Sequence, residues 1–586
     1  MNPKDKICFG DIWGLVLILS ILTANGSFSQ ESTRDSTHNE AHYFDEMGSA
    51  DEATFRRDFE YPFLLLLNEN EKETYKNINA LKERKTFMER FWKARNPNPV
   101  LPENDRLVIF IDRCIYTKKH YSSSEPPYFD DRGHYYIKYG KPTHWHKDVG
   151  GSKTVRFFRD RAAYRFLSHL YSGFPPNKYY EVYPNESWIY RNLGQDFVVY
   201  FVKRGTVFEE VNSLMKALST GLSKNKAWYW NDLIRDRAHL SPSLTSAANR
   251  LLQIENEITT AVHLGQMVGI DKTNVVTPHT RILEQKSIHE AEVIMYRKDP
   301  PISIYDPVHA VDELKFINDV AQFRGSHDST KVEILFLSPL KNNFFRSPSL
   351  SMREPISAEF QCLVRDSLYT PIVQMKDTQS FLMNSYELAG LPNAVGHLAF
   401  FAYPQEGDMT LQIKEMKEGR IGFSKQPFVI RDFRGNELMV SDIQFFTKVT
   451  DTHQLQILPV LEKQTITVAP YPYREIRKSI PVFCYFEIYN IIAAGIATEY
   501  EITLKVTTDE SRGGIFRGIS RMITGKEEHS ISLSHTRSVM GETAEELVAV
   551  DFGNLANGSF LLEIIVTDTA NEMITATAQK KVIVID

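Results

Sequence analysis

Asp130, Asp131 and Arg132 stand side by side ahead of Gly133, and a further acid, Glu186, falls beside Trp188 in a short aromatic run. A short carboxylate at a turn can accept hydrogen bonds from nearby backbone N–H groups, and a guanidinium can fork onto a carboxylate such as Glu186. That chemistry makes the turn a structural fastening. The alternative is a ligand cleft between the turn and the rings of Tyr128, Tyr136 and Trp188, since small-molecule sites combine apolar walls with a few converging polar groups. A glycan-active hydrolase built on the same acids, with Glu181 or Glu186, would need two carboxylates roughly 5–9.5 Å apart across an open cleft.

Other chemistry is sparse. His144 and His146 flank Trp145, a spacing that on a strand puts both imidazoles on one face and suits a metal ion, although no third ligand is obvious. Ser213 and Lys216 form a Ser-x-x-Lys tetrad without the companion Lys-Thr-Gly. There is no His-Glu-x-x-His helix, Gly-x-Ser-x-Gly elbow, phosphate-binding glycine loop or Cys-x-x-Cys pair. No cofactor is implied. Cys114 lies on the helically spaced apolar face Leu107, Phe110, Ile111, Cys114, Ile115, as a packing residue would. The net charge of −6 comes without a basic block, which disfavours nucleic acid as a partner.

The surroundings of the acidic turn carry a family resemblance. Phe91-Trp92 with Arg95-Asn96-Pro97 precedes it, and Tyr135-Tyr136-Ile137-Lys138-Tyr139-Gly140-Lys141-Pro142 follows it. Downstream come Glu186-Ser187-Trp188-Ile189-Tyr190, Leu438-Met439-Val440-Ser441-Asp442-Ile443 and Tyr485-Phe486-Glu487-Ile488-Tyr489-Asn490. In that order the chain resembles the GWxTD-domain family of exported bacterial proteins, which has no settled biochemical activity. The eponymous motif is degraded here to Pro127-Tyr128-Phe129-Asp130-Asp131, of which only the closing Asp131 matches.

Export is also written into the N-terminus. Lys4 and Lys6 precede an apolar run from Gly14 through Leu22, and Ser27 and Ser29 supply the small residues of a cleavage site before Gln30. This reads as a signal peptide over residues 1–29, with no transmembrane span in the mature chain, because the run is too short to cross a bilayer. Removal of that peptide leaves Cys114, Cys362 and Cys484, an odd and scattered set rather than a disulfide framework.

Behind the peptide, residues 30–58 read as a polar leader and residues 59–205 as an α+β unit. Within that unit, helices are expected up to Asn96 and from Glu103 to Tyr121. Strands are expected over Tyr135–Tyr139, Ser187–Tyr190 and Phe197–Val202. Residues 206–327 read as helical and irregular, with helical patterns over Val207–Ala217, Leu244–Val262 and Thr280–Tyr296. All six Trp lie before residue 231, and from Lys331 short alternating strands such as Val332–Phe336 and Ile356–Val364 take over. They indicate two all-β sandwiches, over residues 328–456 and 462–586, the latter closed by a hairpin of Ser559–Thr567 with Met573–Ile585. The expectation is a multidomain, periplasmic or cell-surface protein of the cell envelope, binding a protein or glycan. The alternative is an envelope hydrolase, a peptidase or a glycan-active enzyme, using Asp130 and Asp131.

Overall fold

The computed structural model describes residues 40–156, 165, 179–193, 197–219, 226–268, 314–339, 356–381, 387–388, 391–417, 419–448, 461–463, 466–491, 498–508, 531–569 and 571–586. The expected signal peptide and the helical pattern over residues 280–296 lie outside them.

The described chain opens on α1 (Glu40–Ser49) and continues through short helical turns from Glu52 to Leu64. Residues 40–58, expected as part of a polar leader, are therefore folded. Tyr43 and Met47 lie four apart, as do Phe55 and Phe59, and all four are buried in one core with Phe91 and Trp92. Next come α2 (Glu69–Lys76), α3 (Leu81–Arg95) and α4 (Asp105–His120). α3 ends at Asn96, because the residue before Pro97 is pushed out of helical geometry. Asn104 starts α4 by accepting from the N–H groups of Arg106 and Leu107.

Residues 135–139 are not a strand. They belong to α5 (Asp131–Tyr139), which Asp130 caps by accepting from the Arg132 and Gly133 N–H groups and which ends at Gly140 with φ +75°. Their aromatic composition favours a strand, but the two caps outweigh it.

A four-stranded antiparallel sheet follows, built from β1 (His144–Asp148), β4 (Asn185–Tyr190), β5 (Phe197–Arg204) and β6 (Val207–Val211) in that spatial order. β2 (Gly151–Thr154) and β3 (Tyr179–Val182) form a separate ribbon. The helix expected over Val207–Ala217 is instead β6 and a short 3-10 turn at Leu214–Ala217. Gly205, at φ +59°, makes the tight turn that folds Val207 back onto Arg204, so the sheet continues past residue 205. α6 (Lys226–Arg237) and α7 (Pro242–Val268) complete this part, and the expected 244–262 pattern falls within α7.

Alternation along β4 and β5 sorts the sheet into two faces. Trp188, Tyr190, Val199 and Phe201 pack with Tyr121 and Tyr139 on the side of α4 and α5. Ile189, Val198, Tyr200 and Val202 pack with Trp230, Leu233 and Leu244 on the side of α6 and α7. The sheet is thus the middle of three layers.

Two sandwiches follow. The first pairs the sheet β11 (Glu387–Leu388), β12 (Leu391–Ala402), β8 (Thr330–Pro339), β7 (Ile317–Arg324) with β10 (Pro371–Phe381), β9 (Ile356–Asp366), β13 (Gln405–Glu415), β14 (Ile421–Ile430). Between them Ile334 and Phe336 meet Phe360, Met409 and Leu411. In the second, β15 (Met439–Val440), β16 (Gln444–Lys448), β17 (Leu461–Lys463), β18 (Ile466–Pro470), β20 (Val482–Tyr489) and β23 (Thr543–Val550) face β19 (Glu475–Arg477), β21 (Thr498–Thr508), β22 (Ile531–Val539), β24 (Gly558–Asp568) and β25 (Asn571–Ile585). The expected closing hairpin is β24–β25. β15 and β16, which precede residue 462, pair with β20 of this second unit. No described helix is long and apolar enough to cross a membrane.

Candidate functional site

The acidic turn, β4 and β6 converge on one guanidinium. Arg132 forks onto Asp130, donating from Nε and Nη2 to Oδ2 at 3.1 and 2.7 Å, and donates from Nη1 to Glu186 Oε1 at 2.9 Å. Its Cζ lies 3.7 Å from the ring centre of Phe208 and 4.8 Å from that of Tyr121. Edges paired to carboxylates and faces covered by rings are what a planar guanidinium, unlike an ammonium, can satisfy at once.

Asp130 and Glu186 are fully occupied. Asp130 Oδ1 accepts the N–H groups that begin α5, while Glu186 Oε2 accepts Trp188 Nε1 at 2.9 Å. Asp131 Oδ2 accepts the Glu210 N–H at 2.6 Å, tying α5 to β6, and Tyr135 donates its hydroxyl to Glu210 Oε2 at 2.8 Å. Asp130 and Glu186 are both buried. Each of their oxygens thus holds a protein donor, and Lys147 adds a longer contact of 3.7 Å to Glu186 Oε1.

The opposite face of β4 carries a second polar cluster that sequence reasoning missed. Arg237, fully buried at the end of α6, donates to Ser187 Oγ and Leu233 O at 2.7 Å each, and also to Asn185 Oδ1. Asn185 and Ser187 alternate with Glu186 and Trp188, so the two clusters sit back to back across the sheet. His144 and His146 lie opposite Ile189 and Ser187, and therefore share that second face as their spacing requires. Burial and the Arg237 charge hold the His146 imidazole down at about 4. No group of three or more His, Cys, Asp or Glu residues that could hold a metal gathers among the described residues.

The remaining candidates fall elsewhere. Tyr136 stacks on Tyr116 at 4.4 Å between ring centres, and Tyr128, with φ +70°, packs edge-on to Tyr61 and lines a cavity on the far side of α4. The supposed cleft is thus divided between a filled ion network and a separate hollow. Ser213 accepts from the Met215 N–H as the cap of its short turn, and Glu181 lies on β3, in the ribbon. Burial pushes the Cys114 thiol up, so it stays protonated. The signal for Phe208 and Glu210 was the Arg204-Gly205-Thr206 turn, which marks a hairpin.

No family model matches the chain, and no curated protein matches it. Solved structures that resemble it include red sea bream transglutaminase, 8% identical over 52% of this chain and 34% of that one with a TM-score of 0.14. Another is Escherichia coli alpha-2-macroglobulin activated by porcine elastase, 9% identical over 46% of this chain and 23% of that one with a TM-score of 0.15. Likenesses this slight carry no argument about fold or activity.

Proposed function

We propose that this chain is an exported bacterial cell-envelope protein of the GWxTD-domain kind that acts by binding a protein or glycan partner. The carrying observation is the saturation of the acidic turn: Arg132 holds both Asp130 and Glu186, and Asp131 is spent on joining α5 to β6. Groups so engaged fasten a fold. Two successive sandwiches give the rest of the chain the architecture of a presenting scaffold, and the N-terminal run supports export.

The test separates binding from hydrolysis. Purified full-length protein and its Glu186→Gln variant are assayed against envelope peptides and glycans for turnover, and by affinity capture for retention of one partner. Retention of a partner without turnover, together with a lower melting temperature for the variant, is expected. Turnover that Glu186→Gln abolishes at unchanged melting temperature would establish the hydrolase instead. N-terminal sequencing of the envelope fraction should begin at or near Gln30.

A further inference from the structure

The hollow beside Tyr128 has a volume of about 810 Å³ and lies between α1, the helical turns that follow it, α4 and the entry to α5. Small-molecule sites occupy roughly 300–1,000 Å³. Its walls include Tyr43, Phe59, Ile111, Cys114, Phe129 and Ile137, so its lining is largely apolar. Two buried hydroxyls among its walls, those of Tyr43 and Thr117, have no hydrogen-bond partner, and Thr117, 2% exposed against 8% for Tyr43, is the more deeply buried. An unpaired buried hydroxyl is costly to the fold, and an acceptor inside the cavity would relieve it.

The charges that line the cavity bear on what enters. Asp58 holds both cations, Arg57 at 2.7 Å and Lys118 at 3.2 Å, and Glu46 faces His42 at 3.2 Å. Two acids and two bases balance there, so an anionic ligand would have to displace Asp58 and a cationic one would find only Glu46, whose side chain is 60% exposed at the solvent side. The Cys114 thiol, held protonated by burial, adds no charge. We propose that this cavity binds a neutral, largely apolar molecule whose carbonyl oxygen accepts a hydrogen bond from Thr117. The site uses no member of the Arg132 network and stands independently of the partner-binding reading.

Nile red, a neutral polycyclic ketone, is the probe. Titration of the full chain should give saturable, blue-shifted fluorescence with one dye per molecule. Cys114→Phe, which fills the cavity, should abolish it. Thr117→Val keeps the side-chain shape without the hydroxyl and should weaken binding roughly five- to ten-fold while leaving the melting temperature unchanged or higher. That pairing of weaker binding with undiminished stability is not what a packing defect produces. If Cys114→Phe does not fold, Thr117→Val alone decides. Absence of binding to the parent protein, or equal affinity in the parent and Thr117→Val, overturns the proposal.

Discussion

Arg132 is the residue on which two buried acids depend, and its removal is predicted to cost far more than the loss of one surface pair. Arg132→Ala would strip Asp130 of its guanidinium and leave Glu186 only the longer Lys147 contact at 3.7 Å, and breaking a buried pair in this way typically costs about 3–5 kcal/mol. Asp131→Ala, which gives up one charged hydrogen bond to the Glu210 N–H, should cost about 1–3 kcal/mol. Denaturant melts of the full chain rank the two, and an Arg132→Ala protein as stable as its parent would refute the fastening role. Asp232 makes the contrary case. Buried in α6, it accepts the Arg156 N–H through Oδ2, has no hydrogen-bond partner on Oδ1, and burial pushes its carboxyl up to about 6 from 3.8. The folded state therefore holds the Asp232 proton more tightly than the unfolded one. Its stabilising contribution is fully present below pH 3.8 and is lost as pH rises through about 6. Asp232→Asn, which cannot ionise, should be more stable than the parent at pH 8, with the gap closing by pH 4. A destabilised Asp232→Asn at pH 8 would contradict this. The Arg132–Glu186 pair was legible in sequence because both residues sit in short motifs with a plausible partner. Arg237 and Asp232 were not, because nothing in a helical stretch says which β-strand it will cover.

At the scale of elements, α5 shows how end signals outvote composition. Tyr135, Tyr136 and Tyr139 favour a strand by type, yet Asp130 at the N-cap and Gly140 beyond the end select the helix. Gly133 then sets how closely that helix approaches α4. A Cβ at this position would lie 2.7 Å from Thr117 Cγ2 and 2.8 Å from Phe129 Cβ. Alanine is the better helix former by about 1 kcal/mol, whereas overpacking a tight contact costs about 1–3 kcal/mol. The clash should win, because Phe129 Cβ is anchored to its backbone and cannot swing aside. Gly133→Ala is thus expected to lower the denaturation midpoint, and a raised midpoint would show that the helices can separate freely. The same balance of local and distant signals explains the other elements. α4 and the β24–β25 hairpin were readable from uninterrupted periodicity. α1 was obscured by its acids, and β6 by a run whose one strand signal, the Gly205 turn that folds it onto β5, is a single residue.

Across the whole molecule, the helical N-terminal part is fastened to the first sandwich through the end of α3. The last carbonyls of a helix have no partner within it, and cations are favoured there. Lys425 of β14 donates to the carbonyls of Ala94 and Asn96 at 2.9 Å each, and Arg365 of β9 donates to that of Lys93 at 3.3 Å while forking onto Asp408 at 2.8 and 2.6 Å. Asn98 adds a bond from Nδ2 to Gln412 Oε1 at 2.6 Å. The Arg95-Asn96-Pro97 run thus leaves open carbonyls for a sandwich far along the chain, a partnership no local pattern can disclose. The two sandwiches are joined as well: Phe323 of β7 packs with Phe446 and Tyr485, and Lys580 of β25 pairs with Asp319 at 2.7 Å. The stretch around Lys331 looked like a boundary in sequence, but a cut there would strip β7 from β8 and remove Leu314 from the first core. A stable fragment should therefore begin before Leu314 and carry both sandwiches to Asp586. Lys425→Met keeps the side-chain length but removes the donor, so the carbonyls of Ala94 and Asn96 lose their cation while the sandwich core is untouched. Limited proteolysis is expected to release that two-sandwich fragment faster from Lys425→Met than from the parent. Equal release rates would mean that the end of α3 merely rests against the sandwich and that apolar contacts elsewhere hold the two parts together.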